Sequence, residues 1–200
     1  MTLRVLGSLV IVALFGLNWM LPRTDLGRRG ASSEIRQDVT VAGISVGARL
    51  PHATLMDLAG EPVSLSELRG QRLLLVFERS VDWCPFTKMR LLELKQTFEE
   101  VPDLQIVWVM AEQQMSERTR RLIDEFGLRS RIRFLTDDQS MVIRDLGLLK
   151  PEPTVIEEGV PHPTTLLLDR QGIVRFIDVR EDYHHWLDTT VLSAALDAIE

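Results

Sequence analysis

Two kinds of hydrophobic pattern alternate along most of this chain, and together they predict an α/β fold. Continuous apolar runs are typical of strands buried on both faces of a sheet. The segment 73–77 is such a run, 104–110 is a longer apolar run that contains Gln105, and 132–135, 164–168 and 173–177 are strand-like segments. Apolar residues at helical spacing follow the first run and recur at 115–126, 138–146 and 187–199. Because helices alternate with strands before a final hairpin around 169–172, we expect a mixed central sheet flanked by helices on both faces.

The only cysteine, Cys84, lies between the apolar run 73–77 and the first helical segment. Pro85 suits the first turn of a helix, so Cys84 is predicted at the N-cap, at the positive end of the helix dipole. Such surroundings lower a cysteine pKa from about 8.5 to roughly 3.5–7.5, and the thiolate is the nucleophile. Free cysteines are also among the most buried residues and often only fill a core. Position alone leaves both interpretations open.

The sequence RSVDWCPFT at 79–87 resembles the active-site segment of a known family. This family is the peroxiredoxin-like branch of the thioredoxin superfamily, also called alkyl hydroperoxide reductase/thiol-specific antioxidant or redoxin. Two stretches between 47 and 70 resemble its first hairpin and short helix, and 160–176 resembles its proline loop and the hairpin that follows. The resemblance covers roughly residues 47–199 and implies a thioredoxin-like fold. It also favours the reactive thiol over the inert core cysteine.

The resemblance implies an activity that needs no cofactor. Cys84 would reduce hydrogen peroxide or organic hydroperoxides and become a sulfenic acid. Pro163 would be a cis proline beside the thiol, exposing the preceding backbone to a substrate or partner. His162, before it, either tunes the thiol or caps the loop, and we favour the structural role. The expected partners are a peroxide substrate and an external thiol reductant, either a thioredoxin-like protein or a small thiol.

Several positions depart from the family pattern. Relatives carry Thr or Ser three residues before the catalytic cysteine, where this chain has Val81, and Ser80 is a candidate substitute. Thr87 stands where many relatives have a second cysteine, so no Cys-x-x-Cys disulfide can form. Trp186 replaces an arginine, whose charge we expect Arg180 to supply. The residues predicted to support the thiolate or substrate are Trp83, Pro163, Arg79, Ser80, Thr87 and Arg180.

Two other functions stay open because of these departures. One is thiol–disulfide exchange through a mixed disulfide, and the other is a redox-inactive binding module tethered to a membrane. With 29 acidic and 23 basic residues the chain has a net charge of −6, which argues against nucleic-acid binding. We expect no metal site, because the adjacent His184 and His185 point in different directions and have no partner at ligand spacing.

The start of the chain has the composition of a membrane-targeting segment. Eighteen uncharged, mostly apolar residues separate Arg4 from Arg23. A spanning helix needs about 20 residues and a signal-peptide core only about 7–15, so we favour an uncleaved anchor. The predicted parts are therefore an anchor or signal segment at 1–23, a flexible tether at 24–46 and the thioredoxin-like domain at 47–200.

Two sequence signals disagree about the side of the membrane on which the domain lies. Three arginines soon after the apolar segment, against one before it, would keep the domain in the cytoplasm. Relatives that have an N-terminal anchor commonly place the redox domain outside the cytoplasm. We therefore expect a membrane-anchored domain on the non-cytoplasmic side.

Overall fold

A seven-stranded mixed sheet forms the centre of the protein, seen in a computed structural model that describes residues 31–37, 41–151 and 159–199. The strand order is β3-β2-β6-β5-β4-β7-β8, while β1 and β9 form a separate parallel pair. The strands are β1 (Ala31–Ser32), β2 (Thr54–Met56), β3 (Pro62–Ser64), β4 (Arg72–Glu78), β5 (Leu104–Met110), β6 (Ile132–Thr136), β7 (Thr164–Leu168), β8 (Val174–Val179) and β9 (Trp186–Leu187). Strands β4, β5, β7 and β8 extend over the predicted apolar runs or slightly beyond them.

The central strand β4 is buried on both faces, as its continuous apolar sequence predicts. It pairs in parallel with β5, where Leu74 lies opposite Ile106, and antiparallel with β7, where Leu74 lies opposite Leu167. The side chain of Leu74 is fully buried. Because β4 has neighbours on both edges, its carboxyl end is fixed in position, and the Cys84 loop starts there.

Within the described ranges, four α-helices cover the two faces of the sheet. They are α1 (Pro85–Thr97), α2 (Glu117–Glu125), α3 (Met141–Asp145) and α4 (Thr189–Asp197), and three short 3₁₀ turns occupy Leu65–Leu68, Leu128–Ser130 and Asp138–Ser140. Ser116 caps α2 by accepting a hydrogen bond from the Thr119 N–H, and Asp188 caps α4 in the same way. Polar side chains before each apolar segment therefore determine where these helices begin.

Two separate hydrophobic layers lie on opposite faces of the sheet. Leu75 and Phe77 of β4 pack with Ile143 of α3 on one face. The β4 residues that point to the other face, such as Leu74, pack there with Leu91 of α1 and with Leu192 of α4. This alternation along one strand explains how a continuous apolar run supplies both layers. The thioredoxin-like α/β fold with helices on both faces is confirmed.

The prediction of a flexible tether at 24–46 is wrong for residues 31–37, because these residues pack on the domain. Ala31–Ser32 pairs in parallel with β9, and Gln37 forms a bridge with Val179 at the end of β8. The sequence 31–37 has no periodicity, but it supplies backbone partners to strand edges whose N–H and C=O groups would otherwise face water. The domain therefore includes residues upstream of the predicted boundary at 47.

The predicted membrane segment at 1–23 lies outside the described residues, as does 24–30. Among the helices of the described ranges, none combines the length and the hydropathy that crossing a membrane requires.

Candidate active site

Cys84 occupies the junction between the central strand and the first helix. It is the N-cap of α1, with extended backbone angles (φ −131°, ψ 135°), and Pro85 begins the helix. Its carbonyl accepts a hydrogen bond from the Thr87 N–H at 3.1 Å, while its side chain makes no capping hydrogen bond. The thiol is half-buried. The predicted N-cap position is confirmed, and it places Cys84 at the positive end of the helix dipole.

The surface beside the thiol is apolar and includes one stacked cation. Trp83 is 43 % exposed, and the Arg79 guanidinium carbon lies 3.4 Å from the centre of its ring. Met89, one turn along α1, is also exposed. The Arg79 charge is thereby held over the indole next to Cys84 by a cation–π contact. Lys88 is directed elsewhere, because its ammonium lies over the Phe126 ring at 3.9 Å.

A buried ion pair lies beneath the helix that carries Cys84. Glu78 ends β4 and Arg90 lies in α1, and Nη1 of Arg90 is 2.8 Å from Oε1 of Glu78. Both residues are almost fully buried, and Arg90 also donates to the Thr165 hydroxyl of β7. Burial raises the pKa of Glu78, and the adjacent Arg90 charge opposes that rise. The pair joins three elements, β4, α1 and β7, at the base of the loop that ends in Cys84.

Val81 and Ser80, just before Cys84, occupy the region where relatives carry a hydroxyl. Val81 is buried in the hydrophobic layer shared with α1, so an apolar side chain fills that position. Ser80 is buried too, and its hydroxyl donates to Oδ1 of Asp82 at 2.9 Å. Burial, with a smaller contribution from the Asp82 charge, raises the pKa of Glu112 in the neighbouring loop, and Ser80 opposes this rise. The Ser80 hydroxyl is therefore engaged by acidic side chains.

The proline loop lies beside the end of β4, because Thr164 of β7 pairs with Phe77. The His162–Pro163 peptide bond is trans, so the cis bond implied by the family resemblance is wrong for this chain. The His162 N–H donates to the Leu148 carbonyl at 2.7 Å and the Pro163 carbonyl accepts from the Arg180 N–H at 2.9 Å. These bonds hold the loop extended with the trans isomer, the ordinary state of such bonds. Burial, together with the Lys150 charge, lowers the pKa of His162.

The guanidinium of Arg180 is engaged away from the thiol loop. It forms a buried ion pair with Asp178 (Nε to Oδ2, 2.9 Å) and donates to the main-chain carbonyl of Glu34 at 2.7 Å. Arg180 reaches the proline loop only through its backbone N–H. Its positive charge is therefore paired with Asp178, and its expected role in place of an arginine at the Trp186 position stays a prediction.

Three charged residues of this region, Glu78, Arg90 and Asp178, were not among the predicted site residues. A signal for Arg90 exists in the helical spacing, because Thr87, Arg90, Leu91 and Leu94 form the buried face of α1. A charged residue on such a face requires a buried partner. Glu78, at the end of a fully apolar run, is the matching acid. Asp178 has a similar signal, since it occurs within the apolar strand β8.

Metal binding has no support among the described residues, where no three His, Cys, Asp or Glu side chains form a group suited to a metal ion. His184 and His185 are exposed and both contact Asp182, with Nδ1 to Oδ1 distances of 3.5 and 3.0 Å.

Comparison with known proteins assigns both a family and a fold. The AhpC/TSA family model matches residues 46–177. A peroxiredoxin-like protein from Aquifex aeolicus superposes with a TM-score of 0.67 at 14% identity, over 85% of this chain and 99% of that chain. A thiol peroxidase from Chromobacterium violaceum has a TM-score of 0.66 at 19% identity, over 85% and 95%. A secreted Mycobacterium tuberculosis disulfide oxidoreductase homologous to E. coli DsbE has a TM-score of 0.55 at 17% identity, over 74% and 96%. No curated protein matches the sequence. At these identities the structures show a shared fold.

The buried ion pair predicts a specific pattern of stability changes. Arg90→Met leaves the Glu78 carboxylate buried without its partner, so we expect a loss of about 3–5 kcal/mol in the free energy of unfolding. The double variant Glu78→Leu/Arg90→Met removes both charges and should recover most of this loss. Urea denaturation of the three proteins measures the effect.

The matched control is Arg129→Met, which breaks the exposed Arg129–Asp124 pair (2.6 Å) and should change stability by less than about 1 kcal/mol. Equal effects of the Arg90 and Arg129 substitutions would show that the buried pair is not a structural constraint.

Proposed function

The chain belongs to the AhpC/TSA family, and on this premise we propose that it is a one-cysteine thiol peroxidase acting on hydrogen peroxide or organic hydroperoxides. Family and fold support a thiol oxidoreductase in general. The observation that carries the narrower proposal is the place of Cys84, half-exposed at the N-cap of α1 and at the carboxyl end of the central strand. That position leaves the thiol accessible to a small oxidant.

The proposed reaction proceeds in two stages. The Cys84 thiolate attacks the terminal peroxide oxygen, the O–O bond breaks, and the released alkoxide or hydroxide takes a proton from water. Cys84 is thereby oxidised to a sulfenic acid. One external thiol then condenses with it to a mixed disulfide and water, and a second thiol releases Cys84 and leaves as a disulfide. External thiols are required because the sequence contains one cysteine.

We assign the surrounding residues distinct supporting roles. Arg79, stacked on Trp83, supplies positive charge next to the site, where a partner or substrate would approach. Thr87 fixes the first turn of α1 through its N–H bond to the Cys84 carbonyl. Ser80 orders the preceding loop by its bond to Asp82, and Pro163 forms the adjacent wall of the site. The substrate is a peroxide, and the reductant is a thioredoxin-like protein or a small thiol.

Thiol–disulfide exchange is the second candidate, and the burial of Val81 favours it. With an apolar side chain in place of the usual hydroxyl, the site lacks a donor that orients a peroxide. Attack of Cys84 on a partner's disulfide needs no such donor, because the leaving group is a thiolate. The exposed Trp83 and Met89 would then contact the partner protein.

We predict that the purified full chain consumes hydrogen peroxide or cumene hydroperoxide with dithiothreitol as reductant, and that Cys84→Ser abolishes this turnover. The reason is that the single thiol carries the whole oxidation. Thr97→Ser, an equally conservative change at the far end of α1, is the control and should keep wild-type rates.

Three results are possible and distinguishable. Peroxide turnover by the wild type and by Thr97→Ser, together with its loss in Cys84→Ser, supports the peroxidase. Reduction of a disulfide substrate without peroxide turnover selects the second candidate. Reaction with neither substrate would contradict both and favour a redox-inactive binding module.

We further propose, from sequence, that residues 1–23 anchor the chain in a membrane with the domain on the non-cytoplasmic side. The support is the uncharged segment between Arg4 and Arg23, whose length is close to that of a spanning helix. The full chain should resist extraction from membranes by alkaline carbonate, while a chain lacking 1–23 should be extracted. Protection of the domain from protease in sealed spheroplasts would contradict the proposed orientation.

A further inference from the structure

The segment 31–37, which we call the N-terminal strap, is fastened to the domain at both ends. At its start, Ala31–Ser32 pairs with β9, and the Ser32 carbonyl accepts from the Asp188 N–H at 2.8 Å. At its end, Gln37 forms a bridge with Val179 of β8. The strap therefore spans from β9 to β8, the edge strand of the main sheet.

The middle of the strap completes a buried ion pair. The Arg36 N–H donates to Oδ1 of Asp178 at 2.9 Å, and the Glu34 carbonyl accepts from Nη2 of Arg180 at 2.7 Å. Asp178 and Arg180 are 1% and 2% exposed. Because charged groups at this depth need their hydrogen-bond partners, removal of the strap main chain would leave both with unmet bonds.

One route leads from this ion pair to the helix of Cys84. The charges of Asp178 and Arg180 both act on Arg90 of α1. Arg90 in turn forms the ion pair with Glu78 at the end of β4. The Asp178–Arg180 pair is therefore an electrostatic neighbour of the residues at the base of the Cys84 loop.

A second route runs through β9, the partner of the strap. The Trp186 indole N–H donates to Oε2 of Glu93 in α1 at 2.9 Å. The ring of Phe86, two residues after Cys84, lies 6.3 Å from the Trp186 ring, centre to centre. The strap therefore pairs with a strand that contacts α1 twice, through an aromatic contact in its first turn and a hydrogen bond to its third turn.

We propose that the N-terminal strap is a positioning element of the Cys84 site. Docked, it completes the Asp178–Arg180 pair and supports β9, and α1 is held against the sheet with its thiol half-buried. When the strap is released, the Asp178–Arg180 pair and β9 both hold α1 less firmly, and Cys84 becomes more exposed. The inference rests on the proposed function only in taking Cys84 as the reacting thiol, and it applies equally to peroxide reduction and to disulfide exchange.

Arg36→Pro tests the strap in the full chain, because proline lacks the N–H that Asp178 accepts. We expect Cys84 alkylation by iodoacetamide under native conditions to accelerate about tenfold, the factor that corresponds to losing one hydrogen bond to a charged group. Amide exchange in α1 should accelerate with it, and exchange in β5 should not. Glu34→Ala is the matched control, since it alters an exposed strap side chain but keeps the carbonyl, and it should match wild type.

Unchanged alkylation and unchanged α1 exchange in Arg36→Pro would overturn the proposal, as would equal acceleration in Glu34→Ala. If Arg36→Pro does not fold, Arg180→Lys serves instead, because a single ammonium cannot bond Asp178 and the Glu34 carbonyl with the same fork geometry. It should give an increase in the same direction, and none would overturn the proposal. If Cys84 of the wild type is alkylated slowly but Cys84 of the variant is alkylated faster, the result contradicts the proposed function and still supports the proposed role of the strap.

Discussion

The ion pair between Glu78 and Arg90 is the constraint on which the candidate site depends. Each residue lies six positions from Cys84, one before it and one after, so the pair closes a loop with the thiol at its far side. Its charges are buried, and loss of either partner leaves the other without compensation. The bond of Arg90 to Thr165 extends the constraint to β7. The direction of α1, and with it the N-cap that Cys84 occupies, follows from this closure.

The chemistry at the surface is simpler than the network beneath it. Cys84 is half-buried next to the exposed Trp83, over which the Arg79 charge is held. The position that carries a hydroxyl in relatives is filled by Val81, which packs into the core. Because the chain has one cysteine, the proposed reaction needs an external thiol in every turnover. A site with these properties suits a thiol that reacts and is then released by a partner, whichever oxidant it meets.

The elements that the sequence predicts are those decided by local pattern. Buried runs such as 104–110 are short and rich in β-branched residues, which is typical of strands buried on both faces of a sheet. Pro85 identifies the N-cap because proline at the first helical position has no N–H that needs a partner. The features that it does not predict depend on distant partners. The 31–37 segment has no pattern of its own and is ordered by strand edges some 150 residues away. The isomer at Pro163 follows from bonds to Leu148 and Arg180, and the role of Arg180 from Asp178 and Glu34.

Cys84, held in place by this framework, is in our proposal a thiol that peroxide oxidises to a sulfenic acid. The most direct test is a single-turnover reaction, in which the reduced full chain meets one equivalent of hydrogen peroxide in the presence of a dimedone-type trap and is analysed by intact and peptide mass spectrometry. We predict stoichiometric trapping on the peptide that contains Cys84, formed faster than free cysteine reacts with peroxide under the same conditions. Trapping no faster than that of free cysteine, or none, would contradict the account.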